Sequence, residues 1–440
     1  MSLFRNAASI LLTSFVSIPI ALAANVIVTR TLSVSDRGVL QLLTTTAAAV
    51  VLFASVGWPM ASLYRIKRMG SRPGQVMSTG LLATGLTSLV GLLVVSFVVF
   101  GGRPLALDAL PPVLLIVGLA SVPFQLYLRL FSYIAKGIDR MDLRNIPVFA
   151  LGAGRLMAIG AAALLVPGSL MLILSLTLAS TLVITLITFT VLVRLTGLER
   201  RIERAELRES FHFGVQNYAQ SLAGQLHEQI DILMMGFLLA VPDDVAYYGI
   251  AVGILAQLKL VPESMALALF PRLAGATAAE AGAVAARVCR HGVAWVFLSG
   301  VGVAITAPFV VPFVFGEAYS RSLTPLFILL PAMLMLTTYR VLSRYFTALG
   351  LQRVTITSQV FSVAANIGLN LVLIPRFGID GAAVSSLVSY SLETIVLGAV
   401  FLRQSGSSFR ETFVPRPIAD GAFYIDKLRA LSRRVRRRTS

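Results

Sequence analysis

Apolar stretches of about the 20 residues that a helix needs to cross the hydrocarbon of a bilayer follow one another along the chain, separated by short breaks rich in charge, glycine and proline. Twelve are read as spans, at approximately 8–29, 39–64, 76–100, 111–134, 145–166, 170–193, 214–239, 247–271, 291–315, 325–348, 354–375 and 382–402. The period-2 alternation of barrel strands is absent. The expected fold is therefore all-α, a polytopic membrane protein with 12 transmembrane helices.

Charge gives the orientation, because Lys and Arg are retained on the cytoplasmic side. With the amino terminus inside, the inner segments hold 27 of the 37 Lys and Arg residues, and the outer connections hold five, Arg30, Arg37, Arg103, Arg321 and Arg376. Both termini are thus expected in the cytoplasm and the chain, multi-pass, in the cell (inner) membrane. The net charge of +17 is absorbed as topology signal, so nucleic acid is not an expected partner. Composition agrees: 57% of residues are hydrophobic and 13% charged, against about 45–50% and 25% in soluble domains. The single cysteine, Cys289, excludes a disulfide within the chain.

No connection is long enough for a soluble domain. A Gly-rich loop followed by Lys-Ser or Lys-Thr is missing, and His212, His227 and His291 lack metal-ligand spacing. No catalytic residue, metal or cofactor is expected, and the class is a secondary transporter and not an enzyme.

The charged segment 194–213 divides the spans six and six. This predicts an N-terminal six-helix lobe (1–193), a cytoplasmic charged linker (194–213), a C-terminal six-helix lobe (214–403) and a basic cytoplasmic tail (404–440). Corresponding places in the halves show short matches: Ala135-Lys136-Gly137 with Ala348-Leu349-Gly350, Ser35-Asp36 with Asp243-Asp244, and Arg65-Ile66 with Arg272-Leu273. Such repeats, at equal parity, describe two pseudo-symmetric lobes related by an axis along the membrane normal.

Three pieces carry a family resemblance. The first runs from Phe346 to Ser386, with Ala348-Leu349-Gly350, Asn366, Asn370 and the Leu373-Ile374-Pro375-Arg376-Phe377-Gly378-Ile379-Asp380-Gly381 run. The second is Tyr248 to Leu273, ending Leu269-Phe270-Pro271-Arg272, and the third is Phe315-Gly316-Glu317-Ala318-Tyr319. In these the chain resembles the oligosaccharide flippases, the O-antigen or polysaccharide-repeat translocases of the multidrug/oligosaccharidyl-lipid/polysaccharide exporter superfamily. The resemblance implies two lobes around a central cavity and movement of an undecaprenyl-pyrophosphate-linked glycan from the inner to the outer leaflet by alternating access. Rival readings are a drug/cation antiporter of the same superfamily, a lipid II flippase, and a non-transporting scaffold for glycan assembly.

Ionisable groups inside spans are costly unless paired or facing water. Arg155 and Lys259 lie near the middles of spans five and eight, where a cation facing a cavity would attract pyrophosphate. Lys259 can instead pair with Glu263, four residues on. Arg340 and Arg344 share one face of span ten; Arg344, and Arg129 in span four, can also snorkel to the interface. These five are the candidate substrate contacts. Span seven carries a polar stripe, Asn217, Gln220, Gly224, His227, Glu228 and Asp231. Glu228 and Asp231, expected one turn apart, and Glu263 are candidates for coupling to an ion gradient; the alternative is a static network with His227, Arg155 or Lys259. Glu393 is read as a structural partner. Prolines at 19, 59, 123, 262, 308, 312 and 331 are expected to bend their spans. From Ile418 to Arg438 the tail reads as an amphipathic helix on anionic inner-leaflet lipid, with glycan polymerase or glycosyltransferases as further partners.

Overall fold

The computed structural model describes residues 19–102, 104–199, 204–273 and 277–414. Among them all regular structure is helical: α1 (Pro19–Thr31), α2 (Val34–Ala54), α3 (Trp58–Lys67), α4 (Pro73–Phe100), α5 (Pro112–Leu119), α6 (Val122–Gly137), α7 (Met141–Leu165), α8 (Leu170–Thr196), α9 (Arg204–His227), α10 (Ile230–Leu238), α11 (Pro242–Leu258), α12 (Leu260–Leu273), α13 (Ala278–Val310), α14 (Leu323–Ala348), α15 (Gln352–Ser405) and α16 (Phe409–Phe413). Among the described residues eight segments are long and apolar enough to cross a membrane, nine with α11 and α12 taken as one bent span.

The helices are built inside out, as lipid demands. On α4, Leu82, Leu86, Leu89, Leu93, Phe97 and Phe100 recur at three- and four-residue steps and are all exposed. The opposite stripe, Gly80, Thr84, Ser88 and Gly91, is small and buried. Small residues let backbones approach where no hydrophobic effect drives helices together; a Cβ on Gly80 would sit 3.0 Å from Leu130 on α6. On α8 the inward residues are Thr181, Thr185 and Thr188, whose hydroxyls donate to the carbonyls of Thr177, Thr181 and Ile184 at 2.7–2.8 Å. Each buried hydroxyl is thereby satisfied within its own helix. The core of this layer is Val76 and Met77 (α4), Leu128, Leu130, Phe131 and Ile134 (α6) and Leu192 (α8).

Several expected spans are broken. Span two separates into α2 and α3 at Ser55–Gly57, where Val56 (φ 43°) and Gly57 (φ 74°) leave helical geometry. The cause is a backbone contact: a Cβ on Gly57 would lie 2.6 Å from the Gly214 carbonyl, and one on Gly214 would lie 2.6 Å from Gly57 O. Span four parts into α5 and α6 at Ala120–Ser121. Span seven is α9 and α10, interrupted at Glu228–Gln229. Span eight is α11 and α12, bent by 45° at Lys259. Pro59, Pro123 and Pro262 each stand in the first turn of the helix after a break, where the missing N–H costs no helical hydrogen bond. Those prolines start helices; they do not bend them from within.

Spans eleven and twelve are the two runs of α15. Its 54 residues would extend about 80 Å at 1.5 Å per residue, far beyond the ~30 Å hydrocarbon core. The runs meet at Gly378, whose φ of 56° and ψ of −132° are open to glycine. Within the charged segment 194–213, Thr196 ends α8 and α9 starts at Arg204.

Contacts divide the chain into two compact units. One holds the described chain up to Ile250 with Val310–Ser322 and Asn370–Ala382; the other holds Ala251–Phe309, Leu323–Leu369 and the described chain from Ala383. In the first unit Arg65, expected in an inner connection, is 1% exposed and donates from Nη1 to Thr79 Oγ1 at 2.6 Å, tying α3 to α4.

Candidate transport site

Arg155 sits about 21 Å along α7 from its start and about 15 Å from its end, and its side chain is exposed. Among the described residues no carboxylate pairs with it. An exposed guanidinium at that depth is strongly unfavourable against lipid tails, so this face of α7 borders water. The neighbouring Gly154 fixes the face: a Cβ there would meet Ser180 Oγ on α8 at 2.1 Å. Gly154 therefore packs into α8, and Arg155, about 100° further round the helix, points elsewhere.

Arg129, half-buried on α6, lies with Cζ 5.7 Å from the ring centroid of Tyr218 on α9. Tyr218 is held in turn by donating its hydroxyl hydrogen to the Leu52 carbonyl. A guanidinium over an aromatic face is a stable resting place, and snorkelling is not needed to account for it.

The remaining cations belong to the other unit. Lys259 is half-buried at the junction of α11 and α12, and its carbonyl accepts the Glu263 N–H at 2.9 Å. The Glu263 carboxylate forms an ion pair with Arg340 on α14, from Oε1 to Nη1. Glu263 thereby reaches α14 from the first turn of α12. Arg340 is accordingly neutralised by a neighbouring acid. Arg344, one turn on, is exposed.

The span-seven stripe does not form one helical face, because the chain leaves the helix between His227 and Ile230. Glu228 is half-buried in that break, and Asp231 lies in the first turn of α10, so the two are not one turn apart on a single helix. The side chains of Asn217 and Gln220 lie outside the described residues. Asp231 is 5% exposed, and both its oxygens accept hydrogen bonds: Oδ2 from the Tyr248 hydroxyl at 2.8 Å and Oδ1 from Asn370 Nδ2 at 2.7 Å. Sequence reasoning did not place Tyr248 or Asn370 in a site. The available signal was the four-residue spacing of Ser358, Ser362, Asn366 and Asn370 along span eleven. A carboxylate held by two neutral polar groups keeps its negative charge while remaining able to take a proton or small cation. No group of three or more His, Cys, Asp or Glu suited to a metal occurs among the described residues. Glu393 is 1% exposed and hydrogen-bonded with the Tyr339 hydroxyl, a structural arrangement. The basic tail from Ile418 lies outside the described residues.

Comparison with known proteins gives a consistent class. Residues 3–276 match the family described as polysaccharide biosynthesis protein. The chain is 23% identical over 193 residues to the probable low-salt glycan biosynthesis flippase Agl15 of Haloferax volcanii, an alignment covering 43% of this chain and 41% of that protein. The chain thus spans about two fifths of the length of this relative. Among solved structures it is similar to an inward-facing multidrug resistance MATE family transporter of the MOP superfamily (TM-score 0.72, 12% identity, 89% of this chain and 94% of that one). It is also similar to the lipid II flippase MurJ in an inward closed conformation (TM-score 0.70, 13% identity, 90% and 89%). A third is a MOP superfamily transporter from Pyrococcus furiosus described as having a binding pocket of reverse polarity (TM-score 0.63, 13% identity, 92% and 95%). These similarities show a MATE- and MurJ-like transporter fold.

Proposed function

Since the chain belongs to the polysaccharide biosynthesis protein family, we propose that it is a flippase that carries undecaprenyl-pyrophosphate-linked oligosaccharide from the cytoplasmic to the outer leaflet by alternating access. Twelve spans in two six-helix lobes, both termini in the cytoplasm and residence in the inner membrane complete the reading. The observation that carries it is Arg155: a mid-span guanidinium that is exposed and, among the described residues, pairs with no carboxylate. Such a charge has use for a phosphorylated passenger and little for a cationic drug, which repels it. Lys259, Arg344 and Arg129 are further cations for the path. Arg340 enters it only by exchanging Glu263 for the passenger.

Asp231, with Tyr248 and Asn370, is the proposed site of coupling to a proton or cation gradient, because it combines burial with two neutral donors. Glu228 and Glu263 are secondary candidates. The tail is proposed to lie on anionic lipid and to meet glycan polymerase or glycosyltransferases.

The test is export of a lipid-linked glycan by cells and by vesicles holding the purified chain. Arg155→Gln with Lys259→Gln should abolish transport while membrane insertion persists. Full export by the double variant overturns the reading, and transport of lipid II in preference to lipid-linked oligosaccharide replaces it with the lipid II alternative.

A further inference from the structure

A second cation in the unit that carries Arg155 is treated by the fold in an unusual way. Arg37, in the first turn of α2, is 5% exposed, and its Nε hydrogen has no acceptor. Among the described residues no carboxylate pairs with it. Its guanidinium instead rests over Tyr319, with Cζ 6.0 Å from the ring centroid. Tyr319 is 2% exposed, and its hydroxyl also lacks a hydrogen-bond partner. The turn that presents this ring is set by Gly316, at φ 114°, whose carbonyl accepts the Tyr319 N–H at 3.0 Å.

The neighbouring arginine shows the contrast. Arg321 lies with Cζ 5.2 Å from the Tyr247 centroid and also has a carboxylate, Asp244 Oδ1, at 3.9 Å from Nη1. Tyr247 meets Tyr319 edge-on at 6.1 Å, so both arginines stand against one aromatic pair in the same unit. Among the described residues, only Arg321 of the two has an acid within ion-pair distance. A buried guanidinium without one retains its donors for an anion, and an aromatic face holds it less firmly than a carboxylate would. Arg37 and Arg155 belong to one unit, and among the described residues neither is paired with a carboxylate; two such guanidiniums favour a ligand carrying more than one negative charge and matching their fork geometry.

We propose that Arg37 is a second anion-binding residue of the transport path, receiving the diphosphate headgroup from Arg155 when its contact with Tyr319 opens. This inference rests on the flippase reading of Arg155. Opening the aromatic contact costs the protein a weak interaction, and the diphosphate supplies charge-assisted hydrogen bonds in its place.

The test is calorimetric titration of the purified full-length protein in detergent with inorganic pyrophosphate and, separately, with farnesyl pyrophosphate. Arg37→Gln and Arg155→Gln should each weaken binding of both probes by about tenfold or more, as expected for losing charged hydrogen bonds. Arg37→Lys should fall between, since it keeps charge and loses the fork. Tyr319→Leu, which releases Arg37 and leaves every cation in place, should tighten binding several-fold; it decides the matter if Arg37→Gln elutes as aggregate in gel filtration. Loss on Arg155→Gln with unchanged binding by Arg37→Gln, or unchanged affinity in Tyr319→Leu, overturns this inference and leaves the flippase reading standing. Loss confined to inorganic pyrophosphate overturns the headgroup assignment. Failure of the native protein to bind either probe overturns the reading of Arg155 and this inference with it.

Discussion

The ion pair between Arg340 and Glu263 separates a structural from a transport role for a cation, and a double-substitution cycle reads the difference. Breaking a fully buried pair by removing one partner costs about 3–5 kcal/mol, because the other charge is left stranded; breaking an exposed one costs about 0–1 kcal/mol. Here the side chains are 25% and 33% exposed, which places the expected cost of Arg340→Met between those limits, at about 1–3 kcal/mol. Glu263→Met should cost a similar amount, and the double variant should regain most of it, since two apolar side chains of comparable length replace the pair. The assays are thermal unfolding in one detergent, where each single variant should lower Tm by a few degrees, and vesicle transport of a lipid-linked glycan. If the pair is structural, stability and transport return together in the double variant. A double variant as stable as the native chain yet unable to transport refutes that reasoning and makes Arg340 a contact for the passenger. Single variants with unchanged Tm refute the energetic estimate itself.

Asp231→Asn should abolish the dependence of transport on an ion gradient while exchange of passenger between leaflets at equal gradient continues; loss of both would make Asp231 structural. Tyr248→Phe removes one hydrogen bond donated to the charged carboxylate, worth about 1.5–3 kcal/mol, and should lower the proton or cation concentration needed for half-maximal transport about tenfold or more, because the ion no longer competes with that donor. Deleting residues 418–440 should leave vesicle transport largely intact; complete loss there, with correct insertion, favours the scaffold reading.

Hydropathy is a local property, and the parts of the fold that depend on it were legible. The lipid face of α4, from Leu82 to Phe100, and the turn at Gly378 between two apolar runs both follow from composition along a short stretch. The breaks were not legible, because their causes are distant. Gly57 and Gly214 touch backbone to backbone across two helices, and neither residue alone announces a helix end. Asp231 and Asn370 stand 139 residues apart in the chain. Counting polar residues on a continuous helix put Asp231 on one face with Glu228, whereas that helix is interrupted two residues before Asp231. Arg155 was singled out because its signal, a charge near the middle of an apolar run, is local. The Arg340 partner lies 77 residues away and was not.

Packing and transport meet at Gly154. A methyl group there would fall 2.1 Å from Ser180 Oγ and 3.4 Å from Ser180 Cβ. The obstacle is thus one hydroxyl, and the atom behind it is at ordinary contact distance. Gly154→Ala gains helix propensity, about 1 kcal/mol, against an overpacking cost of about 1–3 kcal/mol, so a small net loss of stability is expected. Transport should suffer more. Arg155 is the next residue, and displacing α7 from α8 moves its guanidinium by a distance that charged recognition does not tolerate. Adding Ser180→Ala removes the obstructing oxygen and keeps the propensity gain. The double variant should therefore unfold at or slightly above the native Tm and recover transport. Normal transport by Gly154→Ala alone refutes the claim that this close approach positions Arg155, and a double variant that regains Tm without transport refutes the claim that the Ser180 hydroxyl is the cause.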